Sequence, residues 1–311
     1  MKKILITGGA GYIGSKLVTK LLDMNFKVTV IDVLKFSSKS LNHLFNNKNF
    51  ELINADVRNK KIMRNLIKKN EFIIPLAALV GAPLCEKNKK EAISVNLDSI
   101  KVLMKNVTRK NKIIYLTTNS GYGVGEKNKY CDENSPLNPI SLYGRTKVEA
   151  EKIILKSQNS IGFRLATVFG YSYRMRTDLL VNNFVFNSLK DKKLEIFEPH
   201  FRRNYIHVDD VVDGIIYSIK HFNKMKSNIY NLGLSSANLT KFMLAKKIQK
   251  QLKYLKIKII KDQKDPDQRD YYVSNKKIER MGFKAKVRIE DGIGELINVF
   301  THSKENIINN Y

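Results

Sequence analysis

Thr7-Gly8-Gly9-Ala10-Gly11-Tyr12-Ile13-Gly14 decides the fold. It joins a short apolar run, Lys3 to Thr7, to Gly11–Met24, where Ile13, Leu17, Leu21 and Leu22 recur at helical spacing. The glycines at 8, 11 and 14 are spaced G-x-x-G-x-x-G. A strand that enters a helix through such a turn lets the backbone approach a diphosphate, while the helix N-terminus presents free N–H groups and a positive dipole.

Outward from this turn the same alternation repeats. Lys27 to Ile31 is β-rich and ends at Asp32. The glycine spacing between a strand and a helix, followed by an acid at the end of the next strand, is the context a dinucleotide site demands. Asp32 stands where a carboxylate accepts hydrogen bonds from both hydroxyls of the adenine ribose and repels a 2′-phosphate, so NAD is expected rather than NADP. Lys35 and Lys39 follow closely and soften that repulsion. Asp56 is a candidate partner for the adenine amine, with a helix N-cap near Asn59 as the competing role.

Phe50 to Ala55, Phe72 to Leu76 and Lys112 to Thr117 repeat the strand signal, with helical patterns over Ser40–Phe45, Lys60–Lys69 and Glu86–Val107. Ile140–Lys156 reads as a helix and Ile161–Phe169 as a sixth strand. Alternating β and α implies a doubly wound parallel sheet, an α/β fold. Beyond Gly170 the alternation loosens. Helices are expected over Leu179–Leu189, Ile206–His221, Leu239–Leu252 and Ile289–Phe300, and strands over Leu194–Phe197 and Asn228–Leu232. The expected division is a dinucleotide-binding domain of residues 1–168 plus 204–232 and a smaller α+β substrate domain of residues 169–203 plus 233–311.

Composition narrows the class. The chain has 311 residues, 43% of them hydrophobic, enough for a sizeable core. Its longest apolar run, Phe72 to Cys85, is interrupted by Pro75, Gly81 and Pro83 and is too short to span a bilayer. No apolar signal stretch follows Met1-Lys2-Lys3, so a cytoplasmic location is expected. Cys85 and Cys131 lack metal-type spacing and read as free thiols; no metal is expected. The formal charge of +27 raises the question of nucleic acid. Lysine is spread along the whole chain, alongside abundant Asn and Ile, as AT-rich coding produces; no nucleic-acid partner is expected.

Tyr143-Gly144-Arg145-Thr146-Lys147 places a tyrosine and a lysine four apart, on one helix face. A free phenol titrates near ~10 and is a poor base at neutral pH, but a neighbouring ammonium stabilises the phenolate. Tyr143 is therefore a candidate general base and Lys147 its activator. Thr118 ends the fifth strand at the carboxyl edge of the sheet, where ligands bind in such folds.

Taken with their surroundings, these residues resemble the extended short-chain dehydrogenase/reductases of the NAD-dependent epimerase/dehydratase family. The resemblance spans nearly the whole chain. It rests on Gly8, Gly11 and Gly14, Asp32, Asp56-Val57, Leu76-Ala77-Ala78, Asn96, Thr118 with Tyr122-Gly123, and Glu133-Asn134-Ser135-Pro136 ahead of Tyr143 and Lys147. Phe163-Arg164-Leu165-Ala166-Thr167-Val168-Phe169-Gly170 and Arg203-Asn204-Tyr205-Ile206-His207-Val208-Asp209-Asp210 extend it. The resemblance implies Thr118, Tyr143 and Lys147 as the catalytic set and NAD as cofactor. It implies cofactor contacts from Gly8, Gly11, Tyr12, Ile13, Gly14, Asp32, Asp56, Val57, Leu76, Ala77, Ala78, Asn96, Thr117, Tyr143 and Lys147. The substrate it implies is a nucleotide-diphosphate sugar bound between two domains.

Departures narrow the chemistry. Family dehydratases carry an Asp-Glu pair after the catalytic hydroxyl residue, and decarboxylases a Glu; this chain has Asn119-Ser120. The cysteine of the fucose-synthase-like reductases has no counterpart between Cys85 and Cys131. Position 75, often His, is Pro, and position 167, often Asn, is Thr. Redox at one sugar carbon remains, as in a 4-epimerase, 4-dehydrogenase or 4-keto reductase. Pro75–Cys85 and Arg174–Asn182 look most like the GDP-heptose 4-dehydrogenases of bacterial capsule pathways. Thr118, Asn119, Ser120, Arg176, Asn182, Arg203 and Arg269 are the expected substrate contacts, the arginines because a guanidinium suits a pyrophosphate. Tyr271 is a further pocket candidate, Arg174 and Arg202 compete with Arg176, and His207 reads as a structural hydrogen-bonder. The resemblance also implies a homodimer packed through the helix after Glu86 and the helix carrying Tyr143. The rival classes are a nucleic-acid-binding module on the same scaffold and a non-catalytic NAD sensor.

Overall fold

Strands buried on both faces need continuous apolar sequence, and the helices between them need one apolar stripe. The chain builds that alternation in the computed structural model, which describes residues 2–36, 39–126, 129–261 and 269–302. It opens with β1 (Lys3–Thr7), α1 (Tyr12–Asp23), β2 (Lys27–Asp32), β3 (Phe50–Asn54), α2 (Lys60–Lys69) and β4 (Phe72–Pro75). A broken helical stretch follows: α3 (Ala82–Lys87), α4 (Lys89–Ile93), a π-helical turn over Ser94–Asp98, and α5 (Ser99–Asn106). Next come β5 (Lys112–Thr118), β6 (Tyr130–Cys131), α6 (Leu142–Ile154), β7 (Ser160–Leu165) and β8 (Thr167–Phe169). The remainder is α7 (Leu180–Asp191), β9 (Lys193–Phe197), β10 (Arg202–His207), α8 (Val208–Lys220), α9 (Phe222–Met225), β11 (Asn228–Leu232), β12 (Asn238–Thr240), α10 (Lys241–Gln251), β13 (Lys256–Ile260), β14 (Tyr272–Val273), α11 (Lys276–Arg280) and α12 (Ile289–His302).

The main sheet has seven parallel strands in the order β11-β7-β5-β4-β1-β2-β3. Helices cover both faces. Leu17, Val18 and Leu21 of α1 and Val211 and Ile215 of α8 seal one side, while Leu66, Ile67, Leu103 and Ile154 seal the other. The chain runs outward from β1 through β2 to β3, then crosses to β4 on the other side of β1. Strand direction of travel thus reverses between β1 and β4, which opens a crevice at their carboxyl ends. A second apolar cluster forms where α7, α10 and α12 meet the three-stranded sheet β12-β10-β8; Val181, Val185, Tyr205, Leu244 and Ile293 are its centre.

Four sequence expectations change. The sixth strand does not run from Ile161 to Phe169. It breaks at Ala166, whose N–H donates to Leu232 O, and β8 leaves the main sheet to pair with β10. Both halves are apolar, so periodicity carries no sign of the change of sheet. The helix expected over Ile206–His221 starts at Val208: His207 is its N-cap, its ring accepting Asp209 N–H at 3.3 Å, and Ile206 belongs to β10. The long helix Glu86–Val107 is interrupted at Asn88 and widened at Ser94–Asp98. The helix expected from Leu239 starts at Lys241, because Thr240 Oγ1 caps it by accepting Met243 N–H.

Candidate active site

The crevice holds a cavity of about 820 Å³. Its walls come from the turn after β1, the ends of β2, β4 and β5, α6, and segments 165–183, 203 and 269–271. At the turn, Gly8 has φ +71°, and a Cβ there would meet Ala77 N at 2.6 Å. Gly14 is as crowded: its Cβ would stand 2.6 Å from Gly8 O. The glycines thus let the turn close onto Leu76-Ala77 and onto itself, leaving the start of α1 open to a ligand. Asp32 ends β2 with its carboxylate accepting Ala10 N–H at 3.0 Å and Leu34 N–H at 2.8 Å. Burial pushes this acid upward, although the backbone donors and Arg174 oppose it. This geometry fits a dinucleotide: an open glycine turn at a helix start, and an anchored carboxylate one strand away.

Gly8, Gly11, Tyr12, Ile13, Gly14, Asp32, Asp56, Val57, Leu76, Ala77, Ala78, Thr117, Tyr143 and Lys147 line this cavity. Asp56 does not cap α2. Asn59 does so, accepting Lys61 and Ile62 N–H at 3.1 Å, and Asp56 instead pairs with Arg58, which lowers its pKa. Lys35 binds Glu91 at 3.0 Å rather than Asp32.

At the other end lie Thr118, Tyr143 and Lys147. Ser141 Oγ accepts Gly144 N–H and so starts α6, putting Tyr143 in its first turn. Lys147, one turn on, is buried with its Nζ 4.2 Å from the Tyr115 ring centroid. Burial drives its pKa down to about 7, opposed by Glu151 and Cys85. Glu151, a further turn on, is itself held by a buried pair with Arg164 at 2.7 Å. Thr118 Oγ1 accepts Ser120 N–H at 3.1 Å and lies 3.0 Å from Ser120 Oγ, to which Arg269 Nη1 donates at 2.5 Å.

Of the expected substrate contacts, Ser120, Arg176, Arg203 and Arg269 line the cavity and Asn119 and Asn182 do not; neither does Asn96, an expected cofactor contact. Asn96 sits behind the wall, in the π-helical turn. Its Oδ1 accepts Leu79 N–H at 2.8 Å, and its Nδ2 donates to Leu79 O and Thr146 Oγ1. It therefore ties the segment after β4 to α6. Asn119 is buried away from the cavity. Asn182 is fully buried, accepting Gly170 N–H and donating to Arg176 O and Tyr12 Oη; it braces the wall while its neighbour Asn183 faces the cavity. A buried amide and a ligand-facing amide look alike in sequence, because burial is decided by distant segments. Arg176 pairs with Asp178, a wall residue that the sequence reading passed over although the two-residue spacing signals such a pair. Arg203 Nη1 donates to Arg202 O, and Arg202 is taken up by Asp270 at 2.8 Å. Arg174, treated only as a competitor, also lines the cavity. His207 Nε2 stands 2.8 Å from Glu295.

Residues 4–233 match the NAD dependent epimerase/dehydratase family. A Methanocaldococcus jannaschii protein provisionally named as a UDP-glucose 4-epimerase is 29% identical over 308 residues, covering 95% of this chain and 97% of that one. The human dTDP-D-glucose 4,6-dehydratase is 25% identical over 328 residues, covering 98% of this chain and 91% of that one. The crystal structure of UDP-glucuronic acid 4-epimerase from Bacillus cereus, in complex with UDP-glucuronic acid and NAD, superposes with a TM-score of 0.85 at 23% identity, covering 96% of this chain and 99% of that one. The chain belongs to the NAD-dependent epimerase/dehydratase family.

Proposed function

We propose that this member of the family oxidises, and in the epimerase case re-reduces, a single carbon of a nucleotide-diphosphate sugar, C4 of a GDP- or UDP-linked hexose or heptose. The observation that carries the reading is the distribution of charge along the cavity. Among the described residues its carboxylates are Asp32, Asp56, Glu91 and Asp178. The first is anchored by backbone N–H groups, and the others are paired with Arg58, Lys35 and Arg176. Elimination of water or loss of carbon dioxide needs an acid/base group beside the reacting carbon, and Thr118 is followed by Asn119 and Ser120 instead. Hydride and proton transfer at one carbon needs only the hydroxyl set present there.

In this reading NAD, when bound, supplies the hydride acceptor. Tyr143 removes the proton of the reacting hydroxyl, Lys147 stabilises the phenolate, and Thr118 hydrogen-bonds the same oxygen. Arg176, Arg203 and Arg269 bind the substrate pyrophosphate. A keto sugar that turns over in the cavity and is reduced on its other face makes the enzyme an epimerase; one that escapes makes it a dehydrogenase, and the reverse direction a 4-keto reductase. Pairing of two chains through the helical stretch 82–106 and α6 belongs to the same proposal. Incubation with GDP-, UDP- and dTDP-sugars, with products resolved by NMR, tests it. Interconversion of C4 epimers or a 4-keto product is expected, whereas a 4-keto-6-deoxy or decarboxylated product would overturn it.

A further inference from the structure

Segment 170–176 is stitched across the start of α1. Tyr12 Oη donates to Gly170 O at 2.6 Å, Ser172 Oγ donates to Tyr12 O at 2.6 Å, and Ser172 Oγ lies 3.1 Å from Ser15 Oγ. These bonds carry Arg174 to the cavity wall, near enough to Asp32 for the two charges to interact. Its guanidinium carbon stands 4.7 Å from the ring centroid of Phe36, four residues after Asp32. Arg174 is only 4% exposed, and its Nη2 is buried without a hydrogen-bond partner among the described residues. The nearby carboxylates are occupied: Asp32 receives two backbone N–H groups, and Asp178 is paired with Arg176. Burial and Arg176 lower the Arg174 pKa only to about 10, so it remains a cation at neutral pH. A buried cation with an unused donor is a costly arrangement that an anionic ligand group relieves.

We infer that Arg174 is a cofactor clasp, binding the pyrophosphate of the dinucleotide and adding a cation to the backbone N–H groups of the glycine turn. This rests on the NAD reading of the cavity. NAD carries its negative charge on its two phosphates, so an arginine that serves NAD by charge serves these. The 2′-phosphate of NADP would have to settle beside Asp32. The sugar nucleotide is the weaker fit, since Arg203 and Arg269 stand with Tyr271 and Ser120 while Arg174 packs on Phe36.

The test is calorimetric titration of cofactor-free protein with NAD⁺, ADP-ribose and NADP⁺, for the wild type, Arg174→Met and Arg174→Lys. Loss of one charge-assisted bond corresponds to a Kd rise of at least ~10-fold for NAD⁺ and for ADP-ribose in Arg174→Met. Arg174→Lys, which keeps the charge, is expected to recover part of the loss and to show that the site still folds. Equal affinities in wild type and Arg174→Met overturn the clasp alone. So does a loss confined to NADP⁺, or one seen only for GDP or UDP binding to NAD-loaded protein. A wild type that binds none of the dinucleotides overturns the cofactor reading and the clasp together.

Discussion

Tyr143, Lys147 and Glu151 follow one another at one-turn intervals on α6, and their environments grade from cavity to core. Lys147 in the middle is the expensive residue, because a buried ammonium is disfavoured and its pKa falls to about 7. In the unfolded chain a lysine titrates near ~10.4, so between these values the unfolded state binds more protons and stability rises with pH. Urea unfolding of the cofactor-free protein at pH 7 and pH 9 is expected to show that rise, and Lys147→Met is expected to flatten it; parallel pH trends would contradict the burial argument. Tyr143→Phe is expected to keep cofactor affinity and lose at least ~10²-fold in turnover, as loss of a general base does. Full activity would remove Tyr143 from the mechanism. The tyrosine and lysine were legible because a four-residue spacing is a local property. Asn96, Asn119 and Asn182 were not, since their facing depends on segments far away in sequence.

α6 is anchored to the sheet from beneath by Glu151 and Arg164 of β7, whose guanidinium also reaches Tyr122 Oη at 3.1 Å. Both charges of this pair are buried. Arg164→Met leaves the buried Glu151 carboxylate without its hydrogen-bonded partner and is expected to cost about 3–5 kcal/mol in urea unfolding. A loss under ~1 kcal/mol, the value of a surface pair, would show that water reaches the carboxylate. At this scale the sequence was most informative where one period persisted. β1, β4 and β5 are built on the unbroken apolar runs Ile4–Ile6, Phe72–Ile74 and Ile113–Leu116, β2 interrupts its run only at Thr29, and α1 carries a clean stripe. It was least informative where apolar character ran on through a change of element, at Ala166 between β7 and β8 and at His207 between β10 and α8. There a single hydrogen bond or cap sets the boundary, and hydrophobicity does not register it.

Across the whole molecule, the +27 charge and the paired acids of the cavity suit a polyanionic ligand pair such as a dinucleotide and a sugar nucleotide. No helix among the described residues is long and apolar enough to cross a membrane. Sedimentation equilibrium is expected to return twice the chain mass of 35.8 kDa, and a monomer mass would refute the proposed pairing. The glycine turn, Asp32, and the Tyr143 and Lys147 pair sit within one crevice because the strand order reverses between β1 and β4. The most direct measurement is to denature freshly purified protein, identify any released cofactor, and incubate the intact protein with C4-epimeric nucleotide sugars. NAD⁺ or NADH together with C4 redox chemistry is the expected result. Protein that neither releases nor binds NAD(H) and leaves every nucleotide sugar unchanged would contradict it.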